Sequence, residues 1–222
     1  MTPIAQHIQE IRASLPAGVR MVAVSKFHPV EELMEAYEAG QRLFGESRQQ
    51  ELLAKIPQMP ADTQWHFIGH LQTNKVRSLV GKVAMIESVD TERLLDLIDK
   101  ESERAGVTTR VLMQVHVARE ETKFGFYPEE LEAYFSDRRF EQLRATHICG
   151  VMGMASNTDD MERVARDFRD IAACYQRIKE IAPDLRGFDV LSMGMSHDYP
   201  LAIEAGSNLV RIGTAIFGPR EY

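Results

Sequence analysis

Short apolar runs recur along this chain, each followed by a stretch in which apolar residues return every third or fourth position. The runs are MVAVSK (21–26), RLFGES (42–47), QWHFIGH (64–70), VAMIESVD (83–90), RVLMQVHV (110–117), HICGVMGM (147–154), DVLSMGMS (189–196) and LVRIGTAIFG (209–218). Most hold a continuous apolar stretch and not a strict alternation, which suits parallel strands covered on both faces. The stretches between them predict helices. Residues 91–105 start at Thr91 and stop at Gly106, a cap at each end. Residues 158–181 set Met161, Val164, Phe168, Ile171, Tyr175 and Ile178 on one stripe. Residues 29–39 open with Pro29 and end at Gly40, 128–135 open with Pro128, and 4–15 align Ile4, Ile8 and Ile11. Eight strands alternating with helices in 222 residues predict a single (β/α)8 TIM-type barrel over 1–222. An open doubly wound sheet is the alternative, but no G-x-G-x-x-G follows the first strand.

Composition narrows the function without naming it. Hydrophobic residues make up 44% and charged residues 27%, as in folded soluble domains. The 26 basic and 33 acidic side chains leave a net charge of −7. That sign opposes a nucleic-acid or anionic-membrane footprint, yet permits a small anion held by backbone N–H groups. The apolar runs fall short of the ~20 residues a bilayer span needs. The first residues, MTPIAQHIQEIRASL, carry no apolar signal core, and Cys149 and Cys174 cannot form a disulfide scaffold. The expected location is a reducing cytoplasm.

Parallel barrels place their sites at the carboxyl ends of the strands. Strand one delivers Lys26 there. Its amine either enters the mouth, where desolvation makes a lysine nucleophilic toward carbonyls, or snorkels to solvent. Strands seven and eight deliver Ser192, Gly194, Ser196, Gly213 and Thr214. These read either as a phosphate cradle of hydroxyls and close-approach glycines or as small residues fitted to crowded turns. Arg211 lies within an apolar strand and needs a partner, either a carboxylate such as Glu87, Asp90 or Asp189, or a ligand. His66 and His70 lack the glutamate of an H-E-x-x-H zinc site, so no metal is expected. Met152, Met154, Met193 and Met195 read as core filler, Trp65 as packed against a helix, and Lys75 and Lys123 as surface lysines.

Taken together, AVSKFHP (23–29), LFGES…QE (43–51), WHFIGHLQTNK (65–75), ESVD (87–90), ETKFGF (121–126), LSMGMSHDY (191–199) and VRIGTAIFG (210–218) carry a family. The chain resembles the pyridoxal 5′-phosphate homeostasis proteins, which are related to the N-terminal barrel domain of alanine racemases. The resemblance implies an alanine racemase N-terminal domain-like barrel that binds pyridoxal 5′-phosphate (PLP). Lys26 matches the lysine that forms the Schiff base, and Arg211 the arginine facing the pyridine nitrogen. Gly213 and Thr214 match the phosphate-binding turn, with Ser192, Gly194 or Ser196 on the other side of the cradle. Asn74, in LQTNK, belongs to a motif that lines the same pocket. The chain departs from the family pattern at Ser47 and Arg48, where F-G-E-N-Y is usual, at His116, and at Ala155 and Ser156.

The resemblance implies a carrier in intracellular vitamin B6 and amino-acid homeostasis, not an enzyme. An arginine beside the pyridine nitrogen disfavours its protonation and weakens the electron sink. The racemases draw a second base, a tyrosine, from a further domain that the sequence does not show before Tyr222. The expected partners are PLP and PLP-dependent apo-enzymes, and the expected state is a monomer. A small PLP-dependent amino-acid racemase is the alternative. A cofactor-free Schiff-base aldolase using Lys26 is a third reading.

Overall fold

The computed structural model describes residues 2–117 and 124–219. Lys123 and part of ETKFGF lie outside the described residues. Eight strands run β1 (Arg20–Val24), β2 (Leu43–Glu46), β3 (Gln64–Phe67), β4 (Met85–Val89), β5 (Thr109–Val115), β6 (Thr146–Gly153), β7 (Val190–Ser192) and β8 (Leu209–Ile212). They pair in chain order, all parallel, and β1 closes on β8 through Met21↔Val210 and Ala23↔Ile212. The expected (β/α)8 barrel is therefore the observed one.

The helices are α1 (Pro3–Ser14), α2 (Val30–Glu38), α3 (Gln49–Lys55), α4 (Val76–Leu79), α5 (Glu92–Ala105), α6 (Pro128–Ser136), α7 (Met161–Ile181), α8 (Tyr199–Glu204) and α9 (Thr214–Phe217). Thr91 caps α5, its side chain accepting from Leu94 N–H, and Gly106 ends it at φ 67°, a left-handed conformation that glycine adopts without penalty. Pro128 occupies the first turn of α6 as expected. Pro29 instead sits one residue earlier, as the N-cap of α2, because its extended ψ of 160° precedes the first helical turn. Among the described residues no helix is long and apolar enough to cross a membrane.

Strand residues of one parity face the helices and build the outer core with Phe44, Trp65, Phe67, Ile86, Leu191, Val210 and Ile212. The other parity fills the barrel. Val22, Leu43, Met85, Leu112, Cys149, Met152, Val190 and Leu209 form its apolar floor. Above that floor the same parity turns polar, with His66, Glu87, Gln114, Ser192 and Arg211 all buried. A packed apolar floor under a polar layer leaves chemistry only at the carboxyl ends. Met193 and Met152 are core as expected, but Met195 is 42% exposed, because it has passed the end of β7.

Candidate functional site

Lys26 follows β1 by two residues and is partly buried. The next strand in the ring is β8, so Gly213 and Thr214 emerge beside it at the same end of the barrel. The approach is close. A Cβ at Gly213 would stand 3.2 Å from the carbonyl oxygen of Val24. Gly194, after β7, has φ 94°, and a Cβ there would stand 2.6 Å from the Cβ of Ala202 and 2.9 Å from the Cα of Tyr199. Only glycine lets this turn fold down onto α8. Ser196 Oγ accepts from the N–H groups of Gly213 at 3.2 Å and Ala215 at 3.3 Å. Among the described residues its own hydroxyl is given no acceptor. Thus Lys26, Gly194, Ser196, Gly213 and Thr214 emerge at one rim, where Ser196 already ties the turn after β7 to the one after β8.

Arg211 lies inside the barrel, 4% exposed. Its Nη1 donates to Ser192 Oγ at 2.6 Å and its Nη2 to the carbonyl of Gly153 at 2.9 Å. Glu87 Oε2 is 3.8 Å from Nη1, so of the three carboxylates offered by the sequence Glu87 is the partner. Ser192 donates in turn to Glu87 Oε2 at 2.6 Å, and His66 Nδ1 lies 2.5 Å from Glu87 Oε1. Ser192 is thus a relay within the barrel, wholly buried between Arg211 and Glu87. Burial alone would push the Glu87 carboxyl up, but the hydrogen bond and charge of His66, the charge of Arg211 and the Ser192 hydroxyl hold it below the ordinary value. Burial lowers the Arg211 guanidinium, against the charges of Glu87 and Asp198.

The histidines resolve separately. His66 turns inward to Glu87, while His70, at the mouth, places Nδ1 2.8 Å from Asp90 and stacks on Phe124 at 3.7 Å between ring centres. Among the described residues no three His, Cys, Asp or Glu side chains are grouped to hold a metal ion. His116 is buried, meets Tyr127 edge-on and, among the described residues, finds no partner for its Nδ1. Asn74 comes after the carboxyl end of β3. It is exposed on a short turn and lines a groove with Arg93, Asp96 and Lys100 of α5. Ser47, Arg48, His70, Gln72 and Lys75 line a cavity of 420 Å³.

Sequence reasoning missed one cluster at this end. Lys55, on α3, is buried and donates to Glu46 Oε1, Glu51 Oε1 and the carbonyl of Ser25. Its spacing of four from Glu51 reads as a solvated helix pair; the one signal of burial was Leu52 three residues before it on the same face.

The family model described as the alanine racemase N-terminal domain matches residues 2–221. The pyridoxal phosphate homeostasis protein of Aquifex aeolicus is 38% identical over 209 residues, covering 91% of this chain and 88% of that protein. Its namesake from Schizosaccharomyces pombe is 41% identical, covering 91% and 85%. The chain belongs to the pyridoxal phosphate homeostasis protein family. Among solved structures, PipY of Synechococcus elongatus with PLP bound superposes with a TM-score of 0.89 at 35% identity, covering 97% of this chain and all (100%) of that one. Alanine racemase from E. faecalis shares the fold alone, at 17% identity and a TM-score of 0.74 over 58% of its length.

Proposed function

We propose that this chain holds pyridoxal 5′-phosphate reversibly on Lys26, as a Schiff base, and serves intracellular vitamin B6 and amino-acid homeostasis as a carrier rather than an enzyme. One observation carries the reading: Lys26 and the donor-rich turns after β7 and β8 emerge on one rim of the barrel, side by side across the β1–β8 seam. When bound, the cofactor supplies an aldehyde that condenses with an amine, with loss of water, and an electron-withdrawing ring. Lys26 supplies that amine. Gly194, Ser196, Gly213 and Thr214 would receive the phosphate through turns and hydroxyl groups that need no net positive charge, the Gly213 N–H exchanging its bond to Ser196 Oγ for one to the phosphate. This fits a chain whose net charge is −7.

Arg211 supplies the cation on the barrel side, pinned by Ser192 and Gly153. A second positive charge beside it is disfavoured, which restrains a bound ring from acting as a strong electron sink. The carrier hands its cargo to PLP-dependent apo-enzymes and works as a monomer in the cytoplasm.

A racemase is the second reading, and the His70–Asp90 pair at the mouth is what favours it, because an imidazole oriented by a carboxylate can accept a proton. It predicts exchange of the α-proton of an amino acid in deuterated water.

The test is the visible spectrum of the protein with added PLP, followed by borohydride reduction and peptide mapping. A yellow protein with the adduct on Lys26 is expected, and Lys26→Ala abolishes both. A colourless protein, or an adduct spread over surface lysines, would refute the assignment and bring the cofactor-free Schiff-base reading forward.

A further inference from the structure

The turn bearing Lys26 contains a strained neighbour. Phe27 has φ 69°, in the left-handed region where a bulky side chain is an outlier. Such a conformation persists only where the surroundings over-determine it. Here the surroundings are specific. The Phe27 N–H donates to Glu51 Oε1 at 2.6 Å. The carbonyl of Ser25 accepts from Lys55 Nζ at 2.8 Å. Lys55 Nζ also donates to Glu51 Oε1 at 2.6 Å and to Glu46 Oε1 at 2.8 Å, and Ser25 Oγ donates to that same Glu46 oxygen at 2.7 Å. The guanidinium of Arg48 lies 4.4 Å from the centre of the Phe27 ring.

The carbonyl before Lys26 and the N–H after it are therefore held by one buried cation and its carboxylate. Lys55 is only 6% exposed, and three acceptors take up the three hydrogens of its ammonium. Burying such a group is expensive, and well-packed apolar residues commonly serve stability as well or better. Apolar residues could not grip a carbonyl and an N–H on either side of one residue.

We propose that Lys55 and Glu51 are positioning residues for Lys26, clamping the peptides on both sides of it so that its amine is presented at a fixed place on the rim. This rests on the reading that Lys26 takes the aldehyde. The clamp is made by α3 and the end of β2, so the rim lysine is set by the neighbouring βα unit rather than by its own strand.

Glu51→Ala, Glu51→Gln and Lys55→Met in the full chain test this. Two quantities are read. One is amide hydrogen exchange of the Phe27 peptide without PLP, and the other is equilibrium titration with PLP by its visible absorbance. The wild-type borohydride adduct comes first; if it is not on Lys26, the parent reading falls before any variant is judged. Glu51→Ala is expected to speed exchange at Phe27 and weaken PLP binding, each about tenfold, as loss of a hydrogen bond to a charged group does. Glu51→Gln keeps an oxygen for the Phe27 N–H and recovers most of both. Lys55→Met repeats the loss. Should Lys55→Met fail to fold, the Glu51 pair decides, since that side chain is 21% exposed and its removal opens no core cavity. Either readout unchanged in folded Glu51→Ala overturns the clamp. Faster exchange with unaltered binding would show a merely structural contact.

Discussion

Two buried charge clusters lie at the same end of this barrel and behave oppositely. Inside, Glu87 is surrounded by His66, Ser192 and Arg211. Outside the sheet, between β2 and α3, Glu46 receives Ser25 and Lys55 on one oxygen, while its Oε2 has no partner among the described residues. Both carboxylates are fully buried. Burial pushes the Glu46 carboxyl above its ordinary value, with Lys55 and Ser25 only partly offsetting it and Glu51 adding to the push. Glu87 lies below its ordinary value, although burial is the largest single effect on it too. Depth therefore does not set the charge of a buried acid: each receives two hydrogen bonds, but those of Glu87 fall on both of its oxygens with the Arg211 charge added, whereas those of Glu46 share one oxygen.

The largest effect expected from breaking this contrast is at Glu87. Glu87→Gln leaves the buried Arg211 without a carboxylate, a change that costs about 3–5 kcal/mol in comparable networks. Urea unfolding at neutral pH measures it. A loss no larger than that of Glu46→Gln would erase the distinction between the clusters.

The pH dependence sharpens it. The folded Glu87 carboxyl is depressed, so its contribution is complete above the unfolded value of about 4.3 and is lost as pH falls through the folded value. Glu46 is raised and has the opposite sign. It favours the folded state at low pH, and that advantage disappears as pH rises from about 4.3 through its folded value. Relative to wild type, Glu87→Gln should therefore recover toward acid and Glu46→Gln should improve toward neutral pH. Parallel unfolding midpoints across that span would contradict both directions.

At neutral pH, Glu46→Gln alone should change stability by about 1 kcal/mol or less, since the amide keeps an acceptor and Lys55 keeps Glu51. The smallest change belongs to a surface pair. Arg139 and Glu92, 48% and 34% exposed at their side chains, meet at 2.6 Å, and Arg139→Ala should cost about 0.5 kcal/mol or less by thermal melting.

Much of the fold was legible because strands buried on both faces leave continuous apolar runs, and because Thr91 and Gly106 mark their helix by local chemistry. The interior polar layer was half legible. Single polar residues in QWHFI, MIESV and LVRI fall on the parity opposite Trp65, Ile86 and Val210, which places them inside the barrel. Listing the available carboxylates put Glu87 among three candidate partners for Arg211 without choosing it; that Ser192 would join them was not on the list. Ser192 read as a rim hydroxyl because β7 is only three residues long and its end could not be placed to one residue. Asn74 read as a pocket residue through its motif alone, since no periodicity encodes the direction of the short turn that carries it. Lys55 was illegible because a glutamate and lysine four apart look the same whether they face water or a strand end.

Arg211 also bears on how the molecule comes together in time. It sits on the last strand to be synthesised, and its partner Glu87 on the fourth. Until β8 arrives, β1 is an open edge and the His66–Glu87 pair lacks its guanidinium. A one-residue slip in docking β8 would turn Arg211 out among the helices and carry Val210 into the polar layer. The buried arginine thus sets the register of the closing seam: a slipped β8 would leave Glu87 without its guanidinium and bury an apolar side chain in the polar layer.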